Sequence, residues 1–123
     1  MLNATKGRMF DNITIDRLGR LVLQEDTGNE PHVSKIYVYG IDTGELIEVA
    51  HHDEQLFVQG MNPGKFITQD EESSGVIDAA DLLGPGWFLL DVQVHKSNPD
   101  PELVEGGQLV AMYIHPQIAT RRA

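Results

Sequence analysis

The sequence predicts a mainly β protein built from antiparallel hairpins and short sheets. Short segments either alternate apolar and polar residues or are rich in β-branched and aromatic residues, as strands are. Aspartate and glycine cluster between these segments, where tight turns need them. Only residues 78–83 have helical character, and there for a single turn. At 123 residues the chain has the length of one domain, so we expect a single domain over 1–123, with frayed tails at 1–9 and 117–123.

The first half of the chain contains two predicted hairpins. Strands are expected at residues 12–16, 21–23, 36–39 and 46–49, with turns at 16–20 and 42–45. A polar loop over 25–31, which ends at a proline, is expected to connect the two hairpins.

The second half is less regular. The expected elements are a strand or loop anchor at 56–58, a strand at 66–68, an acidic loop at 69–75, a short return at 76–77, the helical turn, and strands at 87–94 and 108–114. Asp78 is expected to cap the helical turn and Gly84 to end it. Trp87 is expected in the core, because the strand that it begins is the most apolar of the chain.

The composition excludes several classes of protein. Nineteen acidic and nine basic residues give a net charge of −10, which disfavours nucleic acid and anionic membranes and suits divalent cations. The absence of cysteine excludes disulfides, thiolate zinc sites and iron–sulfur clusters. No apolar stretch is long enough to span a membrane, and residues 1–10 lack the apolar block of a signal peptide. We therefore expect no membrane partner and a cytoplasmic location by default.

Several segments together resemble one known family. They are FDNITID at 10–16, LQED at 23–26, DEESSGVID at 70–78, GWFLLDVQVH at 86–95 and VEGGQL at 104–109. This series is similar to the C-terminal part of PhoX-type alkaline phosphatases and of related phytase-like β-propeller proteins, and it spans roughly residues 10–115. Members of that family are large secreted propellers that use calcium, and in the phosphatases also iron, to hold and hydrolyse phosphate esters.

The resemblance implies that the strands are incomplete propeller blades. The first interpretation is therefore a stand-alone β domain that acts as a non-catalytic binding or interaction module, with no catalytic or cofactor-binding residue assigned. Strands that normally have neighbouring blades expose unpaired edges, so a homo-oligomer is expected. The alternative is a calcium-dependent phosphoesterase whose site is completed by self-assembly. A third interpretation is a pocket for an unidentified small molecule around Trp87, Phe88 and Tyr113.

Two acidic segments are the candidate metal ligands, with calcium as the expected ion because it prefers carboxylate and carbonyl oxygens. They are Glu25 and Asp26, and the run Asp70, Glu71 and Glu72; Asp11 is a weaker candidate of the same kind. The resemblance supports Glu25 in particular. The alternative for every one of them is a solvated acidic turn.

The histidine pair at 51–52 also suggests a metal. Neighbouring residues on a strand point to opposite faces, so His51 and His52 cannot easily bind one ion there. Both are expected to be surface histidines.

Overall fold

The computed structural model describes residues 7–121, and the predicted mainly β class is confirmed. Two single-turn helices accompany the strands, and no helix in the described part of the chain is long and apolar enough to cross a membrane. The elements are β1 (Phe10–Ile15), β2 (Arg20–Asn29), β3 (Lys35–Gly40), β4 (Leu46–His51), α1 (Glu54–Phe57), β5 (Asp70–Asp78), α2 (Ala80–Leu83), β6 (Trp87–Val94) and β7 (Gly106–Tyr113).

The strands form one curled, half-barrel sheet in the order β4-β3-β2-β5-β6-β7, and β1 pairs with β2 off this path. All pairings are antiparallel. The long strand β2 joins the two halves: residues 20–24 pair with β3, whereas Asp26 and Asn29 pair with β5. Because one strand serves both halves, the sheet bends at β2 and acquires a concave and a convex face.

The core lies on the concave face. The register places Val22 opposite Val38 and Leu90 opposite Val110, so that apolar side chains of different strands meet. The buried cluster comprises Val22, Ile36, Val38, Val76, Phe88, Leu90, Ile114 and Ala119.

Arg20 connects the core to the C-terminal segment. Its buried guanidinium donates from Nε to Asp16 Oδ2 at 2.7 Å and from Nη1 to the carbonyl of His115 at 2.8 Å. Ala119 is buried in the core and Ile118 packs against it. The predicted tails at 1–9 and 117–123 lie partly outside the described residues; in the described part, the C-terminal segment is docked on the core.

Several predicted elements are wrong in type. The polar loop predicted over 25–31 is largely the second half of β2, and the acidic loop predicted over 69–75 is part of β5. Both strands bury hydrogen-bonded polar side chains, so their residues lack the apolar alternation of ordinary strands. Residues 66–68 form no strand, and residues 56–57 belong to α1, which Asp53 caps by accepting from the backbone N–H of Gln55.

The predicted helical turn is present as α2. It begins at Ala80 and ends before Gly84, which has φ of 103°. The N-cap is Ala79 and not the predicted Asp78, although Asp78 Oδ1 accepts from the backbone N–H of Ala80. The prediction that Trp87 lies in the core is wrong: Trp87 is only partly buried and packs against Tyr113, with ring centroids 5.4 Å apart. Its neighbour Phe88 points to the concave face and fills the core position.

Candidate functional site

A cavity of about 820 Å³ opens on the concave face. Its floor is formed by alternate residues of β6 and their partners on β7, because every second side chain of a strand points to the same face. Leu90, Val92 and Val94 supply the β6 side, and Leu90 faces Val110 across the pair. Further apolar walls come from Ile36, Leu56, Phe57, Ile67 and Met112.

The mouth of the cavity is polar. Exposed hydrophilic residues that line the cavity come from the end of β4, the N-cap of α1, the loop after β6 and strand β7: His51, Asp53, Lys96, Ser97, Asn98 and Gln108. An apolar interior with a hydrophilic entrance is the usual arrangement of a site for a small organic ligand.

One polar pair is buried at the β4–α1 end of this cavity. The side chain of His52 is only 7% exposed, and its Nδ1 hydrogen-bonds to Oε2 of Glu71. Glu71 is held in turn by Ser34, whose backbone N–H donates to Glu71 Oε1 at 2.8 Å. The second ring nitrogen of His52, Nε2, is buried and has no hydrogen-bond partner within residues 7–121.

The expectation that His52 is a surface histidine is therefore wrong, whereas His51 is exposed as predicted. Strand β4 ends at His51, and the chain turns at His52, whose backbone N–H donates to the carbonyl of Ser34 at 3.1 Å. That bond directs the ring inward. The signal in the sequence was Asp53, since an N-cap residue at that position marks the end of the strand and the start of a helix.

The cavity is not lined by Trp87, Phe88 and Tyr113, around which a pocket was predicted. Phe88 is a core residue, and Trp87 and Tyr113, opposite each other in the register, occupy the convex face. The cavity uses the concave-facing neighbours Leu90 and Met112 instead.

Glu25, one of the predicted metal ligands, is fully buried and surrounded by N–H donors. Its Oε1 accepts from the backbone N–H of Arg8 at 2.7 Å. Its Oε2 accepts from the backbone N–H of Lys35 at 2.8 Å and lies 3.0 Å from His32 Nε2. In this arrangement Glu25 fastens the segment before β3 to β2.

Two other predicted ligands do come together on the convex face. Asp26 is the register partner of Glu72, and Asp11 from β1 joins them, so that the three carboxylates each offer an oxygen within 4.8 Å of the others. We call these residues the acidic triad. Asp70 lies at the start of β5 opposite Asn29, and Glu71 points to the opposite face, toward His52.

His95 lies beside the acidic triad. Its Nδ1 is 2.9 Å from Glu105 Oε2, and its Nε2 is 3.3 Å from Glu72 Oε2. The hydrogen bond with Glu105, followed by the bond with Glu72, raises the pKa of His95, against an opposing effect of burial. A protonated His95 therefore offsets part of the negative charge at this place.

The chain matches no family model, no curated protein and no solved structure. The resemblance to PhoX-type propellers consequently stays a prediction, and the function must be inferred from the geometry of the cavity and of the acidic triad.

Proposed function

We propose that the chain is a non-catalytic binding module whose concave face takes a small ligand with a largely apolar body. The observation that carries this proposal is the cavity itself, with its apolar floor of β6 and β7 residues. Its volume of about 820 Å³ lies in the range typical of small-molecule sites. Transfer of an apolar molecule from water to such walls is favourable by about 25 cal/mol per Å² of buried apolar surface.

A fluorescent apolar probe, anilinonaphthalene sulfonate, tests the proposal. Val92 lines the cavity, so Val92→Trp should fill it and abolish saturable probe fluorescence. Gln93→Trp is the matched control, because Gln93 is the next residue of the same strand and points to the convex face. Near-ultraviolet circular dichroism verifies that both variants are folded, since the probe also binds loosely packed states. Equal saturable binding by both variants would remove the cavity from consideration.

We further propose that the acidic triad binds calcium. Carboxylates this close repel one another, and a hard divalent cation with oxygen ligands relieves that repulsion. An ion bound only by the folded state at 100 times its dissociation constant raises the free energy of unfolding by about 2.7 kcal/mol. Melting curves in millimolar calcium and in chelator should therefore differ for the wild type and for Asp42→Asn, a control in an exposed turn. For Asp26→Asn the curves in calcium and in chelator should coincide. If the two wild-type curves also coincide, the acidic triad does not bind calcium.

A second copy of the chain is the proposed partner. The convex faces of β5, β6 and β7 present an apolar patch, which the register brings together from Ile77, Leu89, Ala111, Trp87 and Tyr113, with Leu109 beside it on β7. Strand β7 is also at one end of the strand order. Among the described strands none pairs with its outer side, so that backbone edge can pair with another chain. The phosphoesterase alternative needs this assembly, and chelator-sensitive turnover of a chromogenic phosphate monoester would support that alternative against a non-catalytic module.

A further inference from the structure

We infer that two copies of the chain pair through their β7 strands, antiparallel and with the two-fold axis at Val110, so that one sheet runs through the dimer. The inference rests on the proposed second-copy partner and gives that contact its strand, its register and its effect on the cavity. Its starting point is the direction of the backbone hydrogen-bonding groups along β7.

Alternate residues of β7 direct their backbone N–H and C=O groups toward β6. Ile114 continues the register of β7 opposite Gly86, and its N–H donates to the Gly86 carbonyl at 2.8 Å. Hydrogen-bonded and non-hydrogen-bonded pairs alternate in an antiparallel ladder, so Val110 and Met112 also bond to β6. The residues between them direct these groups to the outer edge, and all of them are exposed: Gly107, Leu109, Ala111 and Tyr113.

The outer edge of β7 lacks the charges that normally prevent strand pairing. Residues 106–113 include no charged residue, although the chain has a net charge of −10. At the opposite end of the sheet, β4 carries Glu48, which forms an ion pair with Lys35 at 3.4 Å. Charged side chains on an edge strand disfavour pairing with another chain, so β7 is the edge that is open to it. A second β7 strand brings no like charge to this contact.

The outward groups of two β7 strands match when Val110 lies on the two-fold axis. Leu109 then faces the partner's Ala111, and Gly107 faces the partner's Tyr113. Every outward-directed residue of β7 therefore meets another one. Each of these pairs exchanges two hydrogen bonds, as the hydrogen-bonded pairs of an antiparallel ladder do.

Other positions of the axis satisfy fewer of these groups. An axis at Leu109 would place Tyr113 opposite the partner's Glu105, a charged residue outside β7. An axis at Ala111 would place Gly107 opposite a residue that follows β7. An axis between two residues would set the outward groups of one strand against residues whose N–H and C=O groups already bond to β6.

The pairing also joins the two cavities. Val110 lines the cavity, and residues directly opposite each other in a sheet point to the same face. The partner's Val110 therefore lies beside the cavity floor, which continues from β6 and β7 of one copy to β7 and β6 of the other. Each copy supplies apolar surface to the ligand site of its partner.

Single cysteine variants test the register, because the chain contains no cysteine of its own. Residues that face each other at a non-hydrogen-bonded position have Cα atoms about 4.5 Å apart, within the range of about 4.4–6.8 Å that a disulfide spans. Val110→Cys should therefore give a disulfide-linked dimer on mild oxidation, measured by non-reducing electrophoresis.

Gln108→Cys is the matched control. Gln108 lies on the same strand and also lines the cavity, and it is more exposed than Val110, so random collisions would link it more readily. In the inferred register it faces the partner's Met112 and lies about 14 Å from its own counterpart, four residues away at about 3.4 Å per residue. It should remain unlinked.

The pattern of linkage decides between the geometries. Linkage at Leu109→Cys in place of Val110→Cys, or equal linkage at Val110→Cys and Gln108→Cys, would overturn the inferred axis. Linkage at none of them, in a protein that light scattering shows to be a dimer, would overturn the β7 contact and leave the second-copy partner standing. A wild type that stays monomeric would overturn both.

Amide hydrogen exchange tests the same contact without a substitution. Raising the concentration of the wild type should slow exchange at Leu109 and Ala111, whose N–H groups become bonded in the dimer. The amides of β4, at the other end of the sheet, should keep their rates. Slowing along β4 with no change at Leu109 and Ala111 would contradict the inference.

Discussion

His95 illustrates how a single residue couples charge to stability. Its pKa is raised in the folded protein, chiefly by the hydrogen bond with Glu105 and also by Glu72 and Asp70. The stabilisation is therefore complete below the ordinary histidine pKa of about 6.5 and is lost as the pH rises through the raised folded value. The stability difference between the wild type and His95→Gln should be greatest below about pH 6.5 and should shrink as the pH rises through the raised folded value.

Urea unfolding at each pH measures this difference, with chelator present so that no cation competes for Glu72. A difference that does not change with pH would show that His95 acts only by packing. A difference that grows as the pH rises would contradict the sign derived from the raised pKa.

The neighbours Trp87 and Phe88 test the assignment of faces on β6. Phe88 is 1% exposed in the core, so Phe88→Ala should cost about 3–5 kcal/mol of unfolding free energy. Trp87 is partly exposed on the convex face and contacts Tyr113, so Trp87→Ala should cost only about 1–2 kcal/mol. Denaturant unfolding of both variants decides; a larger loss for Trp87→Ala would mean that the two faces are exchanged.

At the scale of elements, the link between α2 and β6 depends on two glycines on either side of Pro85. Both have positive φ, 103° at Gly84 and 89° at Gly86, so alanine is strained at either position, by about 1–3 kcal/mol. Only at Gly86 would the added methyl group also collide, at 2.8 Å from the carbonyl oxygen of Ile114 and from the ring of Tyr113. No atom lies within 4 Å of the corresponding position at Gly84.

Gly86→Ala should therefore lower the stability by at least about 1 kcal/mol more than Gly84→Ala. The comparison isolates the close approach of the chain to the C-terminal segment, because the strain is common to both variants. Thermal unfolding of the two proteins measures it. Equal losses would indicate that the segment after β7 moves away without cost.

At the scale of the whole molecule, the open end of the sheet predicts self-association. Leu109 is 89% exposed on β7, beside the convex apolar patch, so we expect a dimer or a closed oligomer in solution. The net charge of −10 opposes association, and salt screens it over about 8–10 Å, so the assembly should tighten as salt rises. Leu109→Lys should give a monomer.

Light scattering after size exclusion gives the mass at low and at physiological salt. Ile13→Lys is the control, because Ile13 is an exposed apolar residue on β1, away from the patch, and it should leave the oligomer intact. A monomeric wild type under both conditions would contradict the proposed second-copy partner.

Local pattern was sufficient to predict the class of fold and several of its elements. The strands β1, β3, β4, β6 and β7 and the turn at α2 were predicted because each shows its own periodicity or turn residues. The acidic segments were also identified from the sequence as places of interest, since adjacent carboxylates are visible without a structure. Two of the predicted ligands, Asp26 and Glu72, do meet on the convex face.

What only the tertiary structure decided is which polar residues are buried and what they face. Glu25 and Glu71 look like surface residues in the sequence, because the groups that bond to them are distant along the chain. Glu71 takes its hydrogen bonds from Ser34, 37 residues away, and from His52, 19 residues away. Hydrogen bonds between distant segments leave no local period. The acidic segment of β5 therefore has the sequence pattern of a loop, and only its pairing with β2 and β6 shows that it is a strand that places Glu71 within hydrogen-bond reach of His52.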